Sequence, residues 1–353
     1  MRIAIMSRWN ATCGISLHAE LVGRELMRLG HDIVVFAPYV ESANKWWHHR
    51  LIRDDEDFVV RCYCEADPSW TFEGSIDEDR VLSEPFDALI VESYASIPYR
   101  HVERLVEKLR GKVPVVAVIH EGSRAQMKYS SLAIFDRVVV FDERFLDEVV
   151  GRVGNACVIP YPCRPPVAAR SRRFGEGGLR FFSFGRQPVD EYEDFVYALR
   201  VLRERHGLDF RYVVVRSDGL LPYSEPWLTQ VRRRPTIDEL YNYLLGVDIH
   251  LLPKKDTRGV VVSSTFCQTV GSLTPTVSIA SRYYEALPEI GGVKPIALYR
   301  DRDDLVRVIL RIVEDGEFRR RLVEAMRVYA EQNSTLRVAA MFLALLEELM
   351  ESI

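Results

Sequence analysis

Lys254 and Lys255 stand side by side in VDIHLLPKKDTRGVVVSSTFCQTVGSLTPTVSIASRYYEALPEIGG, residues 247–292, where an apolar run of β type is stopped by Pro253. Two ammonium groups in a loop after a strand suit phosphate oxygens, because ligands of an open α/β sheet sit outside the carboxyl ends of its strands. Gly259, Ser263, Ser264 and Thr265 follow, offering flexible backbone and N-cap hydroxyls for a helix running through Gln268 toward Gly271. Free N–H groups at such a helix start attract an anion. The order of residues predicts a phosphate site; the alternative is an ordinary strand, loop and helix with solvated lysines. Only seven of the 47 basic residues are lysine and 40 are arginine, so a lysine pair stands out. The arginine bias itself points to a GC-rich genome or a thermophile.

The elements that must position this loop are ordinary in bulk. The chain has 353 residues, enough for two domains with separate cores. A content of 48% hydrophobic and 28% charged residues fits a soluble globular protein, and no apolar run approaches the roughly 20 residues of a membrane span. The opening MRIAIMS reads as a strand and not as a basic then apolar signal, so a cytoplasmic location is expected. A formal charge of −4 gives no broad case for nucleic acid. Six cysteines are scattered; Cys62 and Cys64 share one strand face, but no second Cys/His pair at zinc spacing follows, so free or structural thiols and no metal are expected.

Strand-like runs at 2–6, 32–36, 58–62, 88–91, 113–119, 137–141 and 157–159 alternate with helical segments at 16–29, 99–109 and 143–150. Such alternation predicts a mostly parallel sheet with right-handed crossovers. A Pro-, Arg- and Gly-rich stretch without hydrophobic period, residues 161–178, reads as a linker. A second βα series follows: strands at 179–184, 210–215, 248–252, 275–279 and 294–298, with helices near 194–205 and at 237–245. Helical patterns at 302–314, 317–331 and 336–350 close the chain, the last with a stripe of Leu336, Ala340, Leu343, Leu346 and Met350 that needs a surface to cover it. The expected architecture is α/β, two doubly wound Rossmann-like domains, 1–160 and 179–335, with the last helix, 336–353, returning to the first.

Several strings in this order resemble the GT-B glycosyltransferases, and within them the retaining family usually numbered 4. The carriers are MRIAIMSRWNATCGISLHAELVGRELMRLGHDIVVFAP, then RFFSFGRQ, PTIDELYNYLLGVDIHLLP, PTVSIASRYYEALPEI and RDRDDLVRVILRIVEDGEFRRRLVEAMRVYAEQNS. The resemblance implies two domains facing each other across a cleft, the first on the acceptor side and the second binding a nucleotide-diphosphate sugar. It implies that Arg186, after Gly185 at a strand's end, binds the donor diphosphate. The family's Lys-Gly partner falls near Glu191 and Tyr192, so one diphosphate cation is missing, and Lys254 or Lys255 would compensate. Of the family's two glutamates, Gln268 takes the second place and Asp256 the first. Glu289, in the Pro-Glu turn, resembles a residue near the donor.

His120 ends the apolar strand VVAVIHEG and resembles a family histidine near the donor sugar; a hydrogen-bonded core histidine is the alternative. Glu121 beside it is a candidate acceptor-side base. Gly14 would let the first loop approach diphosphate or acceptor, or merely form a turn. Because glycosyl transfer builds negative charge on the leaving diphosphate, cations and helix N-termini aimed at it are the main catalytic devices. No metal or other cofactor is implied. Lys45, Trp46, Trp47 and Arg50 interleave aromatic and basic side chains, which suits the cytoplasmic face of a membrane, a sugar or lipid acceptor, or buried packing. The resulting expectation is a glycosyltransferase acting with retention. The alternative is a catalytically degenerate GT-B-fold protein that binds a nucleotide, sugar or partner.

Overall fold

The structure is a computed structural model that describes every residue except 44–49, 68, 70, 171 and 353. The chain forms two compact units. The first comprises Met1–Pro162, Gly259–Ser264 and Asn333–Ile353, the second Cys163–Arg258 and Thr265–Gln332.

The first unit is built on β1 (Arg2–Met6), β2 (Asp32–Pro38), β3 (Val59–Cys64), β4 (Ser75–Ile76), β5 (Ala88–Ser93), β6 (Val115–Ile119), β7 (Arg137–Val140) and β8 (Ala156–Val158). They order as β4-β3-β2-β1-β5-β6-β7-β8, all parallel except the short β4. Runs such as RIAIM, ALIVES and VVAVI are apolar almost throughout because both faces are covered, as a parallel sheet requires. The chain leaves β1 for β2 on one side and later returns to β5 on the other, so the strand order reverses between β1 and β5. Ligand crevices of doubly wound sheets form at the carboxyl end of such a reversal.

The helix Gly14–Arg28 opens at that point, with the Cys13 sulfur accepting from the Ser16 N–H. The closing helix Thr335–Met350 belongs to this unit and meets the opening helix, with Thr335 Oγ1 donating to Glu25 Oε2 at 3.2 Å. Its buried stripe is Thr335, Val338, Ala339, Phe342, Leu346 and Leu349. Leu336, Ala340 and Met350 of the expected stripe are exposed. Of the expected stripe Leu346 alone is fully buried, and Val338, Ala339, Phe342 and Leu349 turn inward with it.

The second unit carries β9 (Leu179–Gly185), β10 (Phe210–Arg216), β11 (Leu228–Arg232), β12 (Ile249–Leu251), β13 (Thr276–Ile279) and β14 (Ala297–Tyr299), all parallel, in the order β11-β10-β9-β12-β13-β14. Its reversal lies between β9 and β12. Phe182, Val215, Leu240, Leu244 and Val247 form a core between sheet and helix, and a capping box of Thr236 and Glu239 starts the helix Ile237–Leu245. The stretch expected as a linker is tied along this unit from Cys163 onward. Arg164 N–H donates to the Cys267 carbonyl, Val167 N–H to that of Gly271, and the Arg172 guanidinium pairs with Asp248 at 3.1 Å.

Candidate functional site

Two clusters of chemistry-bearing side chains occupy the two strand-order reversals. In the first unit the register explains the cluster. Glu92 lies opposite Val118 and Ser93 opposite Ile119 in the β5–β6 ladder, and His120 N–H extends it by donating to the Ser93 carbonyl. Side chains two residues apart share a sheet face, so Glu92 and His120 are diagonal neighbours on one face, and Ser93 and Glu121 on the other. On the first face, Glu92 Oε2 lies 2.5 Å from His120 Nε2, while Glu92 Oε1 lies 2.7 Å from Nδ1 of His18, which the opening helix places over the sheet. His18 and Glu92 are fully buried, and the His120 side chain keeps 9% exposure. Phe141, Tyr161 and Phe342 surround the His18 ring.

Burial alone would push the Glu92 carboxyl up, but the two facing imidazoles outweigh it and hold it at about 2. Burial pushes His120 down against the pull of Glu92. These three side chains are the group among the described residues whose ligand atoms, all within 4.8 Å of one another, could hold a metal ion. Their contacts are, however, hydrogen bonds with a proton between nitrogen and oxygen, and His18 Nε2 is buried with no partner where a metal ligand's second nitrogen is normally tied.

On the opposite face Glu121 Oε1 accepts from Ser93 Oγ at 2.5 Å and Tyr99 OH at 2.6 Å. Glu121 is buried and burial raises its pKa. It clasps strand to helix and offers no open base to an acceptor. A neighbouring buried network joins Arg8 to Glu65 at 2.5 Å, with Tyr94 OH donating to the same Glu65 oxygen.

Gly14, Ser263 and Ser264 come together in this first unit. A Cβ on Gly14 would lie 3.1 Å from Ser264 Oγ, and Tyr161 OH donates to the Gly14 carbonyl at 2.6 Å. The segment 259–264 is fixed by Val260 N–H donating to the Gly122 carbonyl at 2.8 Å and by Arg144 donating to the Val261 carbonyl. A Cβ on Gly122 would sit 2.9 Å from the Val260 carbonyl, so that approach requires glycine.

In the second unit Gly185, at φ +130, ends β9 and turns Arg186 out of the strand, while Pro253 ends the neighbouring β12 ahead of Lys254. Arg186 and Lys254 thus leave adjacent carboxyl ends. Lys254 is half-buried, with Nζ 4.7 Å above the Tyr283 ring; burial lowers its pKa and Glu191 opposes that. Glu191 is raised by burial and lowered by Lys254. Lys255, exposed, pairs with Asp190. Asp256 Oδ1 accepts from the N–H groups of Thr257 and Arg282, fixing the loop. Gln268 is half-buried and its carbonyl accepts from Tyr241 OH. Glu289 is exposed and lines a shallow groove of about 260 Å³ with Lys294, Arg311 and Phe318.

Sequence reading missed His18, Glu92, Asp190 and Arg216. Arg216 ends β10, donates to the Gln187 and Gly219 carbonyls and stacks over Tyr192 at 5.2 Å, bracing the loop after β9. A carboxylate inside ALIVES was the available signal, since a charge in a buried run needs a partner. Lys45, Trp46 and Trp47 lie outside the described residues; Arg50 is exposed, and its backbone N–H donates to Thr12 Oγ1. Among the described residues no helix is long and apolar enough to cross a membrane. A hollow of about 560 Å³ along the helix Tyr99–Leu109 is lined by charges of alternating sign, such as Arg100 paired with Glu73, and holds none of the groups above.

No family model matches the chain. Solved structures do match over almost its full length. Anabaena Alr3699/HepE, solved with UDP and glucose, gives a TM-score of 0.66 at 12% identity, covering 99% of this chain and 100% of that one. The fold is GT-B. The pneumococcal O-GlcNAc transferase GtfA, with UDP and GlcNAc, gives 0.66 at 10% identity over 99% of both chains. An alpha-glucosyltransferase with UDP and a 13-mer DNA gives 0.65 at 15% identity, over 95% and 96%.

Proposed function

We propose that this GT-B chain is a glycosyltransferase that takes a nucleotide-diphosphate sugar on its second unit and the acceptor on its first. The observation that carries the reading is the pair Arg186 and Lys254, two cations leaving adjacent strand ends at the reversal of the second sheet. In the transfer the bond from the anomeric carbon to the diphosphate oxygen breaks, a bond to an acceptor hydroxyl oxygen forms, and the hydroxyl proton passes to the released diphosphate or to water. Arg186 and Lys254 offset the charge gathering on the leaving diphosphate. His120 meets a sugar hydroxyl from the first unit. The UDP complexes of HepE and GtfA support the donor class, and the family 4 resemblance supports retention of configuration and transfer without a metal ion.

A thermal-shift screen against UDP, GDP, ADP and their sugars tests the reading, with hydrolysis assays on whichever binds. One of them should stabilise the protein, and no stabilisation by any would refute it.

A second reading rests on a specific observation: Lys255 pairs with Asp190 and Lys254 faces Glu191, so the acids after β9 neutralise the lysines after β12. A catalytically degenerate GT-B protein that binds a nucleotide or sugar would fit. Binding without turnover across many acceptors would favour it.

A further inference from the structure

The His18–Glu92–His120 cluster does more than fill the core. An ionised carboxylate oxygen 2.5 Å from an imidazole nitrogen requires a proton between them, and with lone pairs facing each other the contact would be repulsive. The same holds for Glu92 Oε1 and His18 Nδ1 at 2.7 Å. Each carboxylate oxygen therefore has one N–H donor, and the two histidines are donors at opposite ring positions. His18 is sealed in an aromatic shell, whereas His120 retains the exposed fraction of the cluster. Among the described residues Nδ1 of His120 has no hydrogen-bond partner, and it is not among the fully buried unsatisfied atoms.

We propose that Glu92, braced by His18, is a positioning residue that fixes His120 as the Nε2–H tautomer and leaves Nδ1 as a hydrogen-bond acceptor for a sugar hydroxyl. The hydroxyl part rests on the glycosyltransferase reading; the tautomer part stands on this unit's geometry alone. A neutral side chain at 92 would accept less strongly and, as glutamine, would offer an N–H of its own, so the ring could carry its proton on either nitrogen. His18 contributes by occupying Oε1, which stops the carboxylate from rotating away from His120.

The test is a long-range proton–nitrogen NMR spectrum of the histidine side chains, assigned with His18→Gln and His120→Gln. The wild type should show His18 protonated at Nδ1 and His120 at Nε2, and Glu92→Gln should give mixed His120 tautomers. His120 protonated at Nδ1, an unchanged spectrum in Glu92→Gln, or a stoichiometric metal ion in the purified protein that Glu92→Gln removes would each overturn the inference. Should Glu92→Gln fail to fold, His18→Gln serves in its place, with the same loosening of His120 expected and an unaltered His120 counting against it. UDP and UDP-glucose are then added in turn. The His120 Nδ1 resonance should move with UDP-glucose and not with UDP, and bound UDP-glucose that leaves it unmoved would overturn the hydroxyl role. If neither binds, GDP and ADP with their glucose sugars take their place; binding by none of these removes the transferase reading, and the tautomer spectra alone then decide the positioning role.

Discussion

The two sheet reversals of this molecule use charge in opposite ways. In the first unit a carboxylate is sealed in the core and each of its oxygens is matched to one imidazole N–H. In the second unit the lysines after β12 meet acids after β9, with Lys255 and Asp190 at 58% and 44% exposure. A buried carboxylate with both oxygens matched fixes geometry and proton position, and its removal is costly because unmatched donors cannot reach water. An exposed pair such as Lys255 and Asp190 contributes little to stability, responds to salt, and can exchange partners when a charged ligand arrives. The first reversal is organised to hold a geometry and the second to change partners.

The sharpest way to break this contrast is Glu92→Ala, which strands two buried N–H donors and should cost about 3–5 kcal/mol of stability in denaturant melts. Lys255→Ala should cost under about 1 kcal/mol, and equal losses would erase the distinction.

Acid titration separates the units next. Burial lowers His250, at the heart of β12, to about 3, so the unfolded chain takes up its proton near 6.5 while the folded chain does not. Stability should therefore fall as pH drops from about 6.5 toward 3, by at most about 1.4 kcal/mol per pH unit. His250→Leu should flatten this slope in thermal melts. Glu92, held at about 2, contributes stability that is present above about 4.5 and lost between 4.5 and 2, so Glu92→Gln should remove that acid loss below about 4.5.

The smallest effect is expected at Asp190. Asp190→Asn frees Lys255 and should tighten UDP a few-fold at low salt, by about 1 kcal/mol or less, with the gain fading as salt rises. Unchanged or weaker binding in titration calorimetry would show that this pair does not mask a diphosphate site.

Much of the scaffold was legible because both sheets are covered on two faces. RIAIM, VVAVI and LRFFSFG declare themselves as buried strands, and the helices at 99–109, 237–245 and 302–314 appear at the expected positions. The strand LTQVR was missed because it is a half-exposed sheet edge with no continuous apolar run. Arg186 and Lys254 were readable as cations after strand ends, but their acidic neighbours Asp190 and Glu191 could not be matched to particular lysines without the fold. His18 and Glu92 are 74 positions apart, and only the β1–β5 reversal brings them together. The segment 259–264 belongs to the first unit through Val260 and Gly122, a long-range approach that spacing alone cannot reveal.

The proposed donor site of the second unit binds a nucleoside diphosphate through cations at the carboxyl ends of β9 and β12. Titration calorimetry of UDP, GDP and ADP against the wild type and Arg186→Ala tests it most directly. One nucleotide should bind the wild type, and Arg186→Ala should weaken it by about 10- to 100-fold, the loss of one or two charge-assisted hydrogen bonds. No binding by any of the three, or equal affinity in Arg186→Ala, would contradict it.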